Sequence, residues 1–182
     1  MRKVSAWLFM SLDGVVEAPN EWQFDVMDDD MIEAITSQTE AEDAMLMGRV
    51  TYQEWLPFWP MSTDEPYASH INTMPKYVVS TTLEEVEWGK WEKPTLIKGN
   101  LPQEINKLKK QPGKNIGVSG SPTLVRSLLE GGLLDEVKLM IHPVVVGHGK
   151  RFFNDGDLKR LKLVDSKVTG TGVVILTYQP AK

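Results

Sequence analysis

Apolar residues fall along this chain in two rhythms. Residues 3–10 form a nearly unbroken apolar run, the mark of a strand covered on both faces. Residues 44–47 form a shorter run stopped by Gly48, and residues 76–80, 95–98 and 115–119 read in the same way. Between these runs apolar residues recur at three and four positions, which is helical spacing. Residues 30–38 are expected as a helix, with Asp30 as N-cap and Glu33 completing a capping box. Thr51 and Glu54 have the same spacing and open a second helix over residues 51–55. Tyr67, Ile71 and Met74 give one apolar face that ends before Pro75. Leu101, Ile105 and Leu108 line a helix capped by Asn100 and ended by Pro112-Gly113. Leu124, Val125, Leu128 and Leu129 are the buried face of another, with Ser121 as cap, Pro122 at its first position and Gly131 as C-cap. Val137, Leu139 and Ile141 alternate on a strand expected to run into residues 144–146. Residues 161–168 and 173–178 flank Thr169-Gly170-Thr171-Gly172 and read as a closing antiparallel hairpin.

Strand–helix alternation implies an α/β architecture: a mostly parallel sheet with helices on both faces and right-handed crossovers. The hairpin adds an antiparallel edge. With 182 residues, no repeat and no linker-like stretch, residues 1–182 are expected to form one domain. Ligands of such sheets sit beyond the carboxyl ends of the strands.

Charge and composition narrow the function classes. The formal net charge of −5 argues against a nucleic-acid partner. The absence of cysteine excludes disulfides, thiolate metal sites and a cysteine nucleophile. Only His70, His142 and His148 are available as imidazole ligands, too scattered for a metal site. The basic pair Arg2-Lys3 before an apolar run is too short a signal for a leader or a membrane span, so a cytoplasmic protein without membrane contact is expected.

Glycine and small polar residues gather at strand ends: Ser11-Leu12-Asp13-Gly14, Gly48-Arg49-Val50-Thr51, Ser80-Thr81-Thr82 and Ser119-Gly120-Ser121. Glycine there lets backbone N–H groups approach a phosphate, and a following helix adds the positive end of its dipole. One such end is an ordinary turn with a cap; four on successive strands form a pattern. Neither G-x-G-x-x-G nor a Walker A motif is present. Gly147-His148-Gly149-Lys150 reads as a tight turn after a buried strand, because no Ser/Thr follows the lysine.

Taken in order, Ser11-Leu12-Asp13-Gly14, residues 47–54, residues 118–124, residues 133–137 and residues 143–153 resemble the RibD C-terminal-domain-like branch of the dihydrofolate reductase superfamily, over nearly the whole chain. The resemblance implies a dihydrofolate-reductase-like fold and NADPH as hydride donor to a small, planar pyrimidine- or pteridine-like acceptor. It implies that Gly48, Arg49 and Thr51 hold the pyrophosphate and the adenosine phosphate side, with Ser80, Thr81 and Thr82 along the adenosine. It places Gly120, Ser121, Thr123 and Leu124 at the pyrophosphate, and Leu12, Asp13 and Gly14 beside the nicotinamide and acceptor. Trp22 lies in the loop expected to cover the nicotinamide. Asp13 and Asp28 are the candidate proton sources, and the sequence does not choose between them. A homodimer is expected as well.

Two departures bear on the substrate. Riboflavin-pathway reductases carry an Asp-x-Pro-x-Leu-x-x-Arg stretch after the second strand, where this chain has Tyr52-Gln53-Glu54-Trp55-Leu56-Pro57-Phe58-Trp59. A folate reductase has one carboxylate on the helix after Trp22, where this chain has Asp28, Asp29 and Asp30. A true folate reductase, a non-catalytic NADP(H)-binding module and a purely structural protein therefore stand as alternatives.

Overall fold

The computed structural model describes every residue except 155, 157 and 182. The strands are β1 (Val4–Ser11), β2 (Glu42–Gly48), β3 (Lys76–Val79), β4 (Thr95–Ile97), β5 (Asn115–Ser119), β6 (Glu136–His142), β7 (Leu161–Val168) and β8 (Val174–Pro180). The helices are α1 (Asp29–Glu40), α2 (Arg49–Trp55), α3 (Tyr67–Thr73), α4 (Leu101–Lys110) and α5 (Pro122–Glu130). All eight strands join one sheet in the order β4-β3-β2-β5-β1-β6-β8-β7. Pairing is parallel from β4 to β6, and β8 runs antiparallel to both β6 and β7. The mostly parallel sheet and the C-terminal hairpin are as the pattern implied. No described helix is long and apolar enough to cross a membrane.

Alternation along β1 divides the core. Val4, Ala6, Leu8 and Met10 join Ile105 and Leu108 of α4 and Val125 and Leu128 of α5 in one buried cluster. Trp7 and Phe9 point the other way, where Met31 and Ile35 of α1 pack with Met140 and Ile175. A third cluster forms between β2–β3, α2 and α3, around Met45, Met47, Tyr52, Ile71, Val78 and Trp88. Trp55 and Trp59 pack against it, so most of the aromatic stretch after β2 is core rather than a stacking platform. Leu128 is completely buried, and truncation to alanine there costs about 2–5 kcal/mol.

Several expected ends moved, each for a local reason. Asp28, not Asp30, caps α1: its backbone is extended and Oδ1 accepts from the Met31 N–H at 2.9 Å. Any of three consecutive aspartates fits the cap by type, and the β7–β8 turn selects among them. Thr171 N–H donates to Asp28 Oδ2 at 3.0 Å, while Asp30 pairs with Lys167 at 2.9 Å. Glu33 also meets Lys167 and forms no capping box. Helix α2 begins at Arg49 with Gly48 as cap, so Thr51 lies inside the helix. The end of α5 stays where it was expected, with Gly131 as C-cap, and the left-handed position falls on Gly132. Leu133 N–H then reaches the Leu128 carbonyl at 2.8 Å and Gly132 N–H that of Leu129 at 3.3 Å, which closes a Schellman turn. Strand β6 stops at His142 because Pro143 cannot donate to a ladder, so residues 144–146 form a loop.

The chain crosses from β1 to β2 two places away, proceeds outward to β4, and returns to insert β5 between them. The carboxyl ends of β2, β5 and β1 therefore flank the reversal in strand order, the place where ligands of open α/β sheets sit.

Candidate functional site

At that reversal β2 and β5 are laced together through side chains. Gly48 N–H donates to Ser121 Oγ at 2.9 Å. Ser121 donates to Thr51 Oγ1 from its hydroxyl at 2.8 Å and from its N–H at 3.1 Å. Thr51 Oγ1 thus accepts twice, and its own proton points elsewhere. The expected side-chain cap at Ser121 is absent, because that hydroxyl is committed to β2 and α2. Gly120 and Ser121 both have left-handed backbones, with φ of 63° and 54°. For serine that conformation is disfavoured, and it is held by the two bonds to Thr51. It turns the chain sharply from β5 into α5, whose first-turn N–H groups at Thr123 and Leu124 have no helical acceptor. Leu124 is buried, and its Cβ lies in the same contact zone as Gly48 and Ser121. Thr123 is exposed on the outer side of that turn.

Arg49 is exposed and donates to Gln53 Oε1 at 3.0 Å. Among the described residues no carboxylate pairs with it, so its charge stands uncompensated at the carboxyl end of β2. At the end of β3, Ser80 Oγ accepts from the N–H groups of Thr82 and Leu83, which shapes the turn. Ser80 is buried, whereas Thr81 and Thr82 are exposed.

The turn after β1 is fastened from several sides. Gly14 takes φ 85°, and its N–H closes on the Ser11 carbonyl at 3.0 Å. Leu12 N–H donates to the Val144 carbonyl at 2.8 Å, and the Leu12 side chain stands exposed. Asp13 accepts from Ser11 Oγ at 2.6 Å, Gly147 N–H at 2.9 Å and Val146 N–H at 3.1 Å. These donors, the Ser11 hydroxyl foremost, hold its carboxyl near a pKa of about 2. Asp28 is likewise lowered, first by the Met31 N–H of the cap and then, against a desolvation penalty, by Thr171. Both candidate proton sources are therefore ionised carboxylates with fastening roles. Asp13 ties β1 to the loop after β6, and Asp28 ties α1 to the β7–β8 turn. An ionised carboxylate must first take up a proton before it can pass one on, so each of these groups acts, if it acts in proton transfer, as a relay.

Trp22 lies on a strap, residues 17–27, that passes over the carboxyl end of β6. Its indole meets the His142 ring edge to face at 5.3 Å. His142 is fully buried, and burial lowers its pKa. Local pattern assigned no site role to His142, to Arg151, whose Nε donates to the Asp13 carbonyl at 3.0 Å, or to the amides of residues 146 and 147. The turn around Gly147 was legible; its role in receiving Asp13 was not, because that contact joins positions 134 residues apart.

As a donor set, the reversal offers a left-handed backbone pair, the open first turn of α5, one hydroxyl proton and one exposed guanidinium. That chemistry suits a phosphate-bearing ligand.

Known proteins are similar to this chain in sequence and in fold. The chain is 34% identical to the uncharacterized protein YyaP of Bacillus subtilis, over 97% of this chain and 94% of YyaP. A solved structure of a putative riboflavin biosynthesis protein from Shewanella sp. PV-4 superposes with a TM-score of 0.80 at 24% identity, covering 99% of each chain. A diaminohydroxyphosphoribosylaminopyrimidine deaminase/5-amino-6-(5-phosphoribosylamino)uracil reductase from Thermotoga maritima superposes at 0.67 with 14% identity, over 99% of this chain and 57% of that one. Residues 2–175 match the model of the RibD C-terminal domain, a span that holds β1 to β7, the reversal and the laced turns, so the chain belongs to the RibD C-terminal domain family.

Proposed function

We propose that this protein is an NADPH-dependent reductase acting on a planar pyrimidine- or pteridine-like molecule. The observation that carries the reading is the left-handed Gly120–Ser121 pair, locked to Gly48 and Thr51 at the point of strand reversal. Such a turn before a helix presents backbone amides to a pyrophosphate without a G-x-G-x-x-G motif. Arg49 and Thr51 would hold the phosphates from the β2 side, with Thr123 at the opposite rim and Ser80 to Thr82 along the adenosine. NADPH, when bound, supplies a hydride from its nicotinamide.

The chain's own contribution is orientation and the exclusion of water. The turn Leu12–Gly14 presents exposed Leu12 at the carboxyl end of β1 while Asp13 keeps that turn rigid. Trp22 on the strap shields the end of β6. The proton accompanying hydride transfer would come from solvent and pass through Asp13 or Asp28, directly or by way of a water.

Titration of the protein with NADPH should give saturable fluorescence quenching, and no change at millimolar cofactor would sink the reading. The missing Asp-x-Pro-x-Leu-x-x-Arg stretch argues against a phosphoribosyl substrate. Failure to complement a strain lacking the riboflavin-pathway reductase is expected, and growth at the normal rate would overturn that part. A folate reductase would instead turn over dihydrofolate and bind methotrexate tightly. The reading includes a homodimer, formed on the apolar face of β6, β8 and β7.

A further inference from the structure

Aromatic rings climb one face of the sheet toward its carboxyl edge. Trp7 meets Phe9 edge to face at 5.6 Å, Phe9 meets His142 at 5.5 Å, and Trp22 meets His142 from above at 5.3 Å. His142 Nδ1 lies 2.9 Å from the Met140 carbonyl, so in the neutral ring Nδ1 carries the proton. Nε2 is then a lone-pair acceptor, fully buried and, among the described residues, without a hydrogen-bond partner. Burial keeps the ring neutral, although the carbonyls of Met140 and Met10 favour its protonated form. A buried acceptor left without a donor is costly, and in a native structure it needs a reason.

The strap above this ring is fastened at its ends. Glu17 accepts from the Lys150 N–H at 3.1 Å, and the Val26 carbonyl accepts from the Thr171 hydroxyl at 2.6 Å. Between these ties its two short turns, Pro19–Glu21 and Phe24–Val26, bury no residue. The Trp22 indole N–H donates back to the Glu17 carbonyl at 3.2 Å, so its polar group is tied to the strap and not to the sheet. Val26 and Met27 anchor the strap's far end on the cluster around Met31 and Met140, whereas the Trp22 indole holds no hydrogen bond to the sheet.

We propose that His142 Nε2 is the hydrogen-bond acceptor that reads an in-plane ring N–H of the heterocyclic substrate, uncovered when Trp22 moves off it. This rests on the functional reading above and deepens it by naming the ligand feature recognised. The class that fits is a flat ring with an unsubstituted ring nitrogen, as in pyrimidinediones and pteridinediones. The same ring methylated at those nitrogens has nothing to donate and leaves Nε2 unmet. If His142 were only a filler of the aromatic stack, phenylalanine would serve equally.

The test uses lumazine as probe and 1,3-dimethyllumazine as its donor-free control, with the NADPH-loaded protein. In the wild type, nitrogen NMR should show the His142 Nε2 resonance moving upfield with lumazine and staying in place with the dimethyl analogue. His142→Phe should weaken lumazine binding about tenfold and leave the dimethyl analogue unchanged. An unmoved Nε2 resonance at saturating lumazine overturns the proposal, as does equal lumazine affinity in both proteins or no lumazine binding at all. The NMR arm uses unaltered protein, so it stands even if the variant folds poorly. Failure of NADPH to bind, with the lumazine shift intact, would sink the cofactor assignment and leave His142's role standing.

Discussion

Arg49 and Glu42 show how differently a single charge can be placed. Arg49 stands at the carboxyl end of β2 with, among the described residues, Gln53 as its one side-chain partner, which leaves its fork open to a phosphate. A charge-assisted contact to the 2′-phosphate of the adenosine is worth roughly 1.5–3 kcal/mol. Arg49→Ala should thus weaken NADPH about ten- to a hundredfold and leave NADH almost unchanged. Equal weakening of both, read from paired dissociation constants, would remove Arg49 from that role. Glu42 is the opposite case, only 5% exposed beneath α1. Its one direct partner is Gln38, whose amide donates at 2.5 Å, and burial pushes its pKa from 4.5 to about 7. Below pH 4.5 the group is protonated in both states and has no effect on stability. From there to about pH 7 the unfolded chain releases a proton that the folded chain keeps, so stability falls as pH rises. The full cost above pH 7 is about 3 kcal/mol. Urea melts should show Glu42→Gln stabilising the protein at pH 8 and nearly neutral at pH 5; the same difference at both values would refute the assignment. Glu42 also fills the space that a side chain at Gly117 would need, so Gly117→Ala should destabilise sharply.

Among the elements, the loop after β6 owes its shape to Asp13. That carboxylate holds the amides of Val146 and Gly147, while Arg151 holds the Asp13 carbonyl. Asp13→Ala should raise amide hydrogen exchange at residues 146 and 147 and leave the centres of β1 and β6 protected. Because the Asp13 pKa is depressed, its stabilisation is complete above the ordinary value of 3.8 and disappears as pH falls through about 2. Loop protection in the wild type should therefore persist through pH 4, and its loss well above that value would contradict the assignment. The start of α1 follows the same logic: a turn from the far end of the chain, at Thr171, decides which of three aspartates caps the helix.

For the whole molecule, the uneven covering of the sheet is the feature with consequences. Cross-strand register puts Leu163 beside Tyr178, Ser166 beside Leu176 and Val168 beside Val174. The same three β8 residues face Val137, Leu139 and Ile141 of β6. Burial declines outward along this face: Val137 and Leu139 are buried, Leu163 is 48% exposed and Val168 68%. An apolar strip of this kind on a sheet edge invites a second copy. Light scattering should give a dimer at micromolar concentration, and lysine at both Leu163 and Val168 should return it to a monomer with unchanged circular dichroism. A wild-type monomer would refute the proposed interface.

Period and punctuation in the sequence were enough for the architecture. The continuous run at residues 3–10 marked a strand buried on both faces, the alternation at Val137, Leu139 and Ile141 marked β6, and Asn100 does cap α4. These signals are local, so they survive without knowledge of contacts. Glycine at the ends of β2 and β5 also marked where the chain turns sharply into α2 and α5. The tertiary structure alone decided what each polar side chain does. Ser121 was read as a cap and is a cross-tie to Gly48 and Thr51; Asp30 yielded the cap to Asp28; local pattern gave His142 no site role. A hydroxyl or carboxylate takes its hydrogen bonds from whatever the fold brings within about 3 Å, and residues 70 to 145 positions away are invisible to local pattern.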